Sequence, residues 1–228
     1  MRADGLLSLT GAGTVDNSEG LISSAQSVQI QDRQLADKTQ RVTNTGGTLI
    51  AGKSLGVKSA ELSGDGSVLS RGDLDVSVNG DFVNTGNVEA SGNVGFQTTG
   101  QLTNRAAMRA GAALNASAST IDNTETGELS AVETQVAAAG GITNRGLIDG
   151  QDTTVSSGVV SNKGTGRIYG DHLAISAGTL NNDAEKGAAA TIAARSRLDI
   201  GAQTVNNRDH ALIFSAGDMA IGGTLDGS

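Results

Sequence analysis

Apolar and polar positions alternate along most of the chain in short bursts, and each burst ends in a turn rich in Gly, Asn or Asp. Gly86-Asn87-Val88-Glu89-Ala90 leads through Ser91-Gly92-Asn93 to Val94-Gly95-Phe96. Gly47-Thr48-Leu49-Ile50-Ala51 leads through Gly52-Lys53-Ser54 to Leu55-Gly56-Val57, and Gly166-Arg167-Ile168-Tyr169-Gly170 leads through Asp171-His172 to Leu173-Ala174-Ile175. Alternation at period two buries one face of a strand. The pattern predicts three short strands, separated by turns, in a unit of about 20 residues.

One tripeptide marks each unit: an apolar residue, any residue, then Asn. The Asn positions are Asn17, Asn44, Asn84, Asn104, Asn123, Asn144, Asn162, Asn182 and Asn207. Two degenerate copies, Leu62-Ser63-Gly64 and Leu225-Asp226-Gly227, carry Gly there. Successive markers lie 18 to 27 residues apart, with a mean of 21. A fixed period of this length signals stacked repeats. No unit can bury its apolar face alone, but stacking puts Val on Val and Leu on Leu, each strand pairing in parallel with the next coil. The expected fold is all-β: a right-handed parallel β-helix, or solenoid, of about eleven coils and on the order of 50 Å in length. A helical repeat fails because Gly and β-branched residues recur in every unit without a persistent i, i+3, i+4 stripe. The Leu-x-x-Leu-x-Leu signature of a leucine-rich repeat is not present. The Asn residues are expected at sharp corners, where Asn tolerates left-handed backbone, with their amides bonding from coil to coil as a ladder.

Composition fits a narrow interior. Aromatics are 2% of the chain, Gly numbers 33, and Pro and Cys are absent. Without Cys there are no disulfides and no thiolate metal sites. The net charge is −8 and Lys and Arg do not cluster, which argues against nucleic-acid binding. No apolar run approaches the ~18 residues of a transmembrane helix, so membrane insertion is not expected. Residues 1–228 read as one β-helical repeat segment, and Met1-Arg2-Ala3-Asp4-Gly5 reads as a start fused to an internal piece of a larger protein rather than as a signal peptide.

Units such as Leu102-Thr103-Asn104-Arg105 and Ile142-Thr143-Asn144-Arg145-Gly146-Leu147-Ile148 resemble the filamentous haemagglutinin repeat region of two-partner-secretion exoproteins. That group includes haemagglutinin-type adhesins and contact-dependent growth inhibition toxins. The resemblance spans roughly residues 10–228. It implies export through a dedicated outer-membrane partner transporter and a filament on the bacterial cell surface. It also implies projection of an adhesive region or toxin toward a receptor or glycan on another cell.

Candidate sites are few. Arg71-Gly72-Asp73 is a candidate adhesion tripeptide, but Gly72-Asp73-Leu74 aligns with Gly92-Asn93-Val94 and Gly217-Asp218-Met219, so ordinary turn chemistry accounts for all but Arg71. Two long intervals carry extra residues: about seven near Gln31–Gln34 and Asp37–Arg41, and about five near Ala184–Ala190. Insertions in solenoids map to loops, which sometimes bind partners. His172 and His210 have no metal-ligand spacing, and Gly64-Asp65-Gly66-Ser67 is a single turn rather than a tandem calcium motif. No catalytic residue, metal or cofactor is assigned. A β-helical polysaccharide-cleaving enzyme is the least favoured reading, since it needs paired carboxylates and sugar platforms, and Phe82, Phe96, Tyr169 and Phe214 are scattered in the sequence.

Overall fold

The computed structural model describes residues 1–11, 13–34 and 38–225. They form a parallel β-helix of about eleven turns, roughly 20 residues apart, with no helix among the described residues. The degenerate marker at Leu225-Asp226-Gly227 lies outside the described residues from Asp226 onward.

Every coil pairs in parallel with the next, so side chains of equal register stack into rows. One row runs Ile22, Leu49, Val68, Val88, Met108, Leu129, Ile148, Ile168, Ile192 and Ile213. All but Ile213 are buried, and each such side chain contributes about 1.5–3 kcal/mol of transfer free energy. A second row contains Val28, Leu55, Leu74, Val94, Leu114, Thr134, Thr153, Leu173 and Leu198. Its two threonines are fully buried among aliphatics. Thr134 Oγ1 donates to the Asp149 carbonyl at 2.8 Å, whereas Thr153 Oγ1 has no protein partner.

Three separate strands per coil describe only the first half of the rod. From Ala113 onward the second and third strands merge, as in Ala113–Asn123, Glu133–Asn144 and Asp152–Lys163, and Arg167–Glu185 covers 19 residues. The corners inside these strands are built of small residues such as Ala139-Gly140-Gly141 and Ser157-Gly158. Small residues let the chain bend there while ladder pairing continues, and the slip appears only as a register shift after Ala138.

The long intervals are now located. The seven extra residues of the first lie between Gln31 and Arg41, since Gln31 pairs with Lys58 and Arg41 with Glu61. Of this segment, residues 35–37 are outside the described part. The expectation that all five extra residues of the second lie near Ala184–Ala190 needs correction. Four belong to an antiparallel hairpin pairing Ala184 with Ala189 and Glu185 with Ala188. The fifth is a bulge: Gly170 pairs with Ala194 but His172 with Arg197, so Asp171 faces both Arg195 and Ser196. Lys186 (φ 51°) and Gly187 (φ 82°) form the hairpin turn, whose two positive φ values match the twist of paired strands.

Candidate functional site

The marker asparagines occupy one register: Asn84, Asn104, Asn123, Asn144, Asn162, Asn182 and Asn207 are partners in sequence. Most of these side-chain amides serve an acceptor in the row and another in the following turn; Asn144 reaches a third acceptor, and Asn207, at the end of the row, donates only to the Ala211 carbonyl. In Asn123, Nδ2 donates to Asn144 Oδ1 at 2.7 Å and to the Leu147 carbonyl at 3.1 Å, while Oδ1 accepts from Asn104 Nδ2 at 2.8 Å. The same paired donation recurs at Asn17, Asn84, Asn104, Asn162 and Asn182. The amides all donate toward the C-terminal end of the rod. Asn17, Asn84, Asn104, Asn123, Asn144, Asn162 and Asn182 therefore bond their neighbour in the row and also clamp the turn that follows in the next coil. None of these asparagines has the left-handed backbone expected of a sharp corner. The amide donates beyond its own coil and is fully buried in the middle of the row, so polar satisfaction selects Asn here rather than backbone tolerance.

The row is interrupted once. Gly64 stands where Asn would be, with φ 103°, and a Cβ there would approach the Asn44 carbonyl carbon to 2.6 Å. Asn44 Nδ2 donates instead to the Ser67 carbonyl at 3.1 Å. Asp65, next in the chain, accepts from the Gly46 amide at 2.8 Å, so the Gly-Asp-Gly-Ser segment serves as a turn in the stack.

Arg71-Gly72-Asp73 occupies a stacked turn. Arg71 N and Asp73 N donate to the Ala51 and Lys53 carbonyls of the preceding coil at 3.0 and 3.1 Å. A Cβ on Gly72 would collide with the Lys53 carbonyl oxygen, so close backbone approach requires Gly. Asp73 Oδ1 accepts from both the amide and the side chain of Asn93 at 2.9 Å each. Arg71 and Asp73 are both exposed, and Arg71 is the member of the tripeptide that the aligned turns do not share.

Both insertions are tied to the rod. Asp32 is buried and accepts from the amides of Thr39 and Gln40, and the Thr39 amide above all holds its carboxyl below the usual carboxylate range. Lys38 Nζ reaches Ser77 Oγ at 2.6 Å. The hairpin folds back over earlier coils. Arg145 Nε donates to Glu185 Oε2 at 2.6 Å and its Nη1 to Asp122 Oδ1 at 3.2 Å, while Lys186 approaches Glu125 at 3.3 Å. The hydrogen bond from Arg145 lowers the Glu185 pKa and raises that of Arg145.

The four aromatic side chains, scattered in sequence, fall into two groups in space: one contacting pair in the core and two rings two coils apart on the surface. Phe82 and Phe96 meet in the core with ring centroids 4.9 Å apart. Tyr169 and Phe214 share an outward row, with Ala193 between them. His172 is exposed and contacts Asp152 at 3.1 Å, and His210 sits in a turn with φ 65°. Among the described residues no group of three His, Cys, Asp or Glu side chains is placed to hold a metal ion.

A family model described as the haemagglutinin repeat matches residues 2–77, 59–186 and 175–227. The chain belongs to the haemagglutinin repeat family. No curated protein and no solved structure matches it. The overlapping matches run across the first insertion and the Gly64 interruption, and across the hairpin and the bulge. Those irregularities are thus carried within haemagglutinin repeats, between coils that keep the common register. No helix among the described residues is long and apolar enough to cross a membrane.

Proposed function

We propose that this haemagglutinin-repeat β-helix is a non-enzymatic stalk segment of a large secreted bacterial surface exoprotein. Its full-length form would pass the outer membrane through a partner transporter and present an adhesive or toxin-delivery region to another cell. The observation that supports the reading best is the continuity of the stacked rows. The aliphatic row from Ile22 to Ile213 keeps one register across two insertions, a bulge and a missing Asn. Such an arrangement sets length: each coil adds about 4.8 Å, and no coil depends on more than its neighbours.

Deletion of residues 85–123 removes two coils and joins Asn84 to Thr124 in register. The stalk reading expects a folded rod shorter by about 10 Å in solution scattering, and a full exoprotein that still engages partner cells. A rod of correct shortened length whose exoprotein no longer binds cells would favour the second reading, a receptor- or glycan-binding adhesin module. That second reading draws support from the outward aromatic row.

A further inference from the structure

Tyr169, Ala193 and Phe214 stand in register on successive coils. Their two rings are therefore separated by two coil spacings, about 9.6 Å, with only a methyl group between. Phe214 is 49% exposed, and an open slot runs between the rings over Ala193. Beside it stands Arg195, the side chain introduced by the bulge. Arg195 Nη1 lies 3.1 Å from Asp171 Oδ1, and Nη2 lies 3.2 Å from Asp149 Oδ1. Arg195 also borders a second, polar depression containing both aspartates, so the aromatic slot and the polar shelf adjoin along the rod.

We propose that this composite groove binds a neutral oligosaccharide lying along the rod axis. A pyranose ring has an apolar C–H face and a rim of hydroxyls. The aromatic rings and Ala193 offer flat apolar surface to the former. A planar guanidinium held between two carboxylates presents donors and acceptors at fixed spacing to the latter. Arg195 faces two aspartates, and Arg109 at the far end of the shelf is itself paired with Glu89 and Glu128, so acidic groups outnumber basic ones around the groove, which disfavours polyanionic glycans, nucleic acid and anionic membranes. A slot one residue wide is also far smaller than the roughly 800 Å² per partner of a specific protein interface. The bulge has a role in this assignment: it re-aims one side chain beside the slot while the core rows continue in register above and below.

Tyr169 is the only tyrosine and the chain has no Trp, so intrinsic emission reports this groove alone. We expect titration of the whole chain with cellohexaose, mannohexaose and chitohexaose to give a saturable change in Tyr169 emission with at least one of them. Phe214→Ala and Arg195→Met, both outward changes, should each weaken that binding about tenfold or more while far-ultraviolet circular dichroism stays the same. Silence toward all three sugars at millimolar concentration would overturn the proposal. So would undiminished binding by both variants, or an equal response to tetramethylammonium, which would mark a cation site. The inference does not rest on the stalk reading. The rod lacking residues 85–123 loses only Arg109, Ala110 and Gly111 at the far end of the polar shelf and keeps the aromatic slot with Arg195, Asp149 and Asp171, so sugar binding and rod length fail or succeed separately.

Discussion

Asn123→Leu is the sharpest perturbation of the amide row. Asn123 is fully buried at mid-rod and joins three other groups: an N–H of Asn104, the Oδ1 of Asn144 and the carbonyl of Leu147. Leucine fills a similar volume and bonds to none of them. Leaving a buried polar group unpaired costs about 1–3 kcal/mol. Asn104 keeps its second bond to Glu128 O, so its loss falls at the lower end. Against this, the leucine side chain gains about 1.5–3 kcal/mol of apolar transfer. The losses total about 3–7 kcal/mol, so the net expectation is destabilisation centred on about 3 kcal/mol, with any cell binding unchanged. Because stability in a solenoid is a sum of nearest-neighbour terms, the defect should also be local. Thermal unfolding gives the total. Hydrogen exchange should show lost protection in Leu102–Asn104, Ile121–Asn123 and Ile142–Asn144, with the first coils little altered. An unfolding curve and exchange pattern identical to the parent would refute the idea that the row supports the rod.

Gly64→Asn supplies the opposite case. It completes the row by residue type, yet the added Cβ meets the Asn44 carbonyl carbon at 2.6 Å and the backbone is left-handed, so melting should fall by at least about 1 kcal/mol equivalent. A more stable variant would mean that the local backbone adapts freely. Thr153→Val keeps the shape of a fully buried side chain and removes a hydroxyl with no protein partner. It should stabilise by about 1–2 kcal/mol, and a lower melting temperature would contradict this. The hairpin should respond to acid. Glu185 has a depressed folded-state pKa through its bond to Arg145, so its contribution is present above the ordinary glutamate value of about 4.3 and is lost as pH falls through the lower folded value. Exchange at Ala184–Ala189 should rise in that window, and Arg145→Met should give the same exchange at neutral pH. Protection that is flat with pH in the parent would count against the clamp.

The fold was legible because two periods are written plainly in the residues. Alternation at period two fixes which side chains face inward, and the Asn spacing fixes how coils align. The conformation of the asparagines was not legible. Asn tolerates left-handed backbone and also satisfies buried acceptors, and only the observed donations separate these roles. The aromatic row was hidden for a different reason. Tyr169 and Phe214 become neighbours only after the hairpin's four residues and the bulge's single residue are removed from the count. An interval of 25 residues shows that five are extra but not where they divide. Thr134 and Thr153 escaped notice because Thr is as ordinary in an outward strand position as it is unusual in an aliphatic row.

These irregularities are not spread evenly. The hairpin, the bulge at Arg195 and the middle of the aromatic row all fall in the single coil between Asn182 and Asn207. That coil nevertheless keeps its core register on both sides, with Asn162, Asn182 and Asn207 in line and Ile168 over Ile192. The energetic reason is a separation of roles. Inward side chains carry the nearest-neighbour stability, so an outward excursion costs only its own closure, and each doubling of loop length adds about 0.6 kcal/mol. A rod of this kind can therefore change its surface one coil at a time without losing its length. Uniform rows keep the length of the rod constant, and of the two coils where the period lengthens, the one between Asn182 and Asn207 combines a hairpin, a bulge and the aromatic row. A binding groove placed there leaves the stalk intact, which is why stalk and adhesive readings of the same chain need not compete.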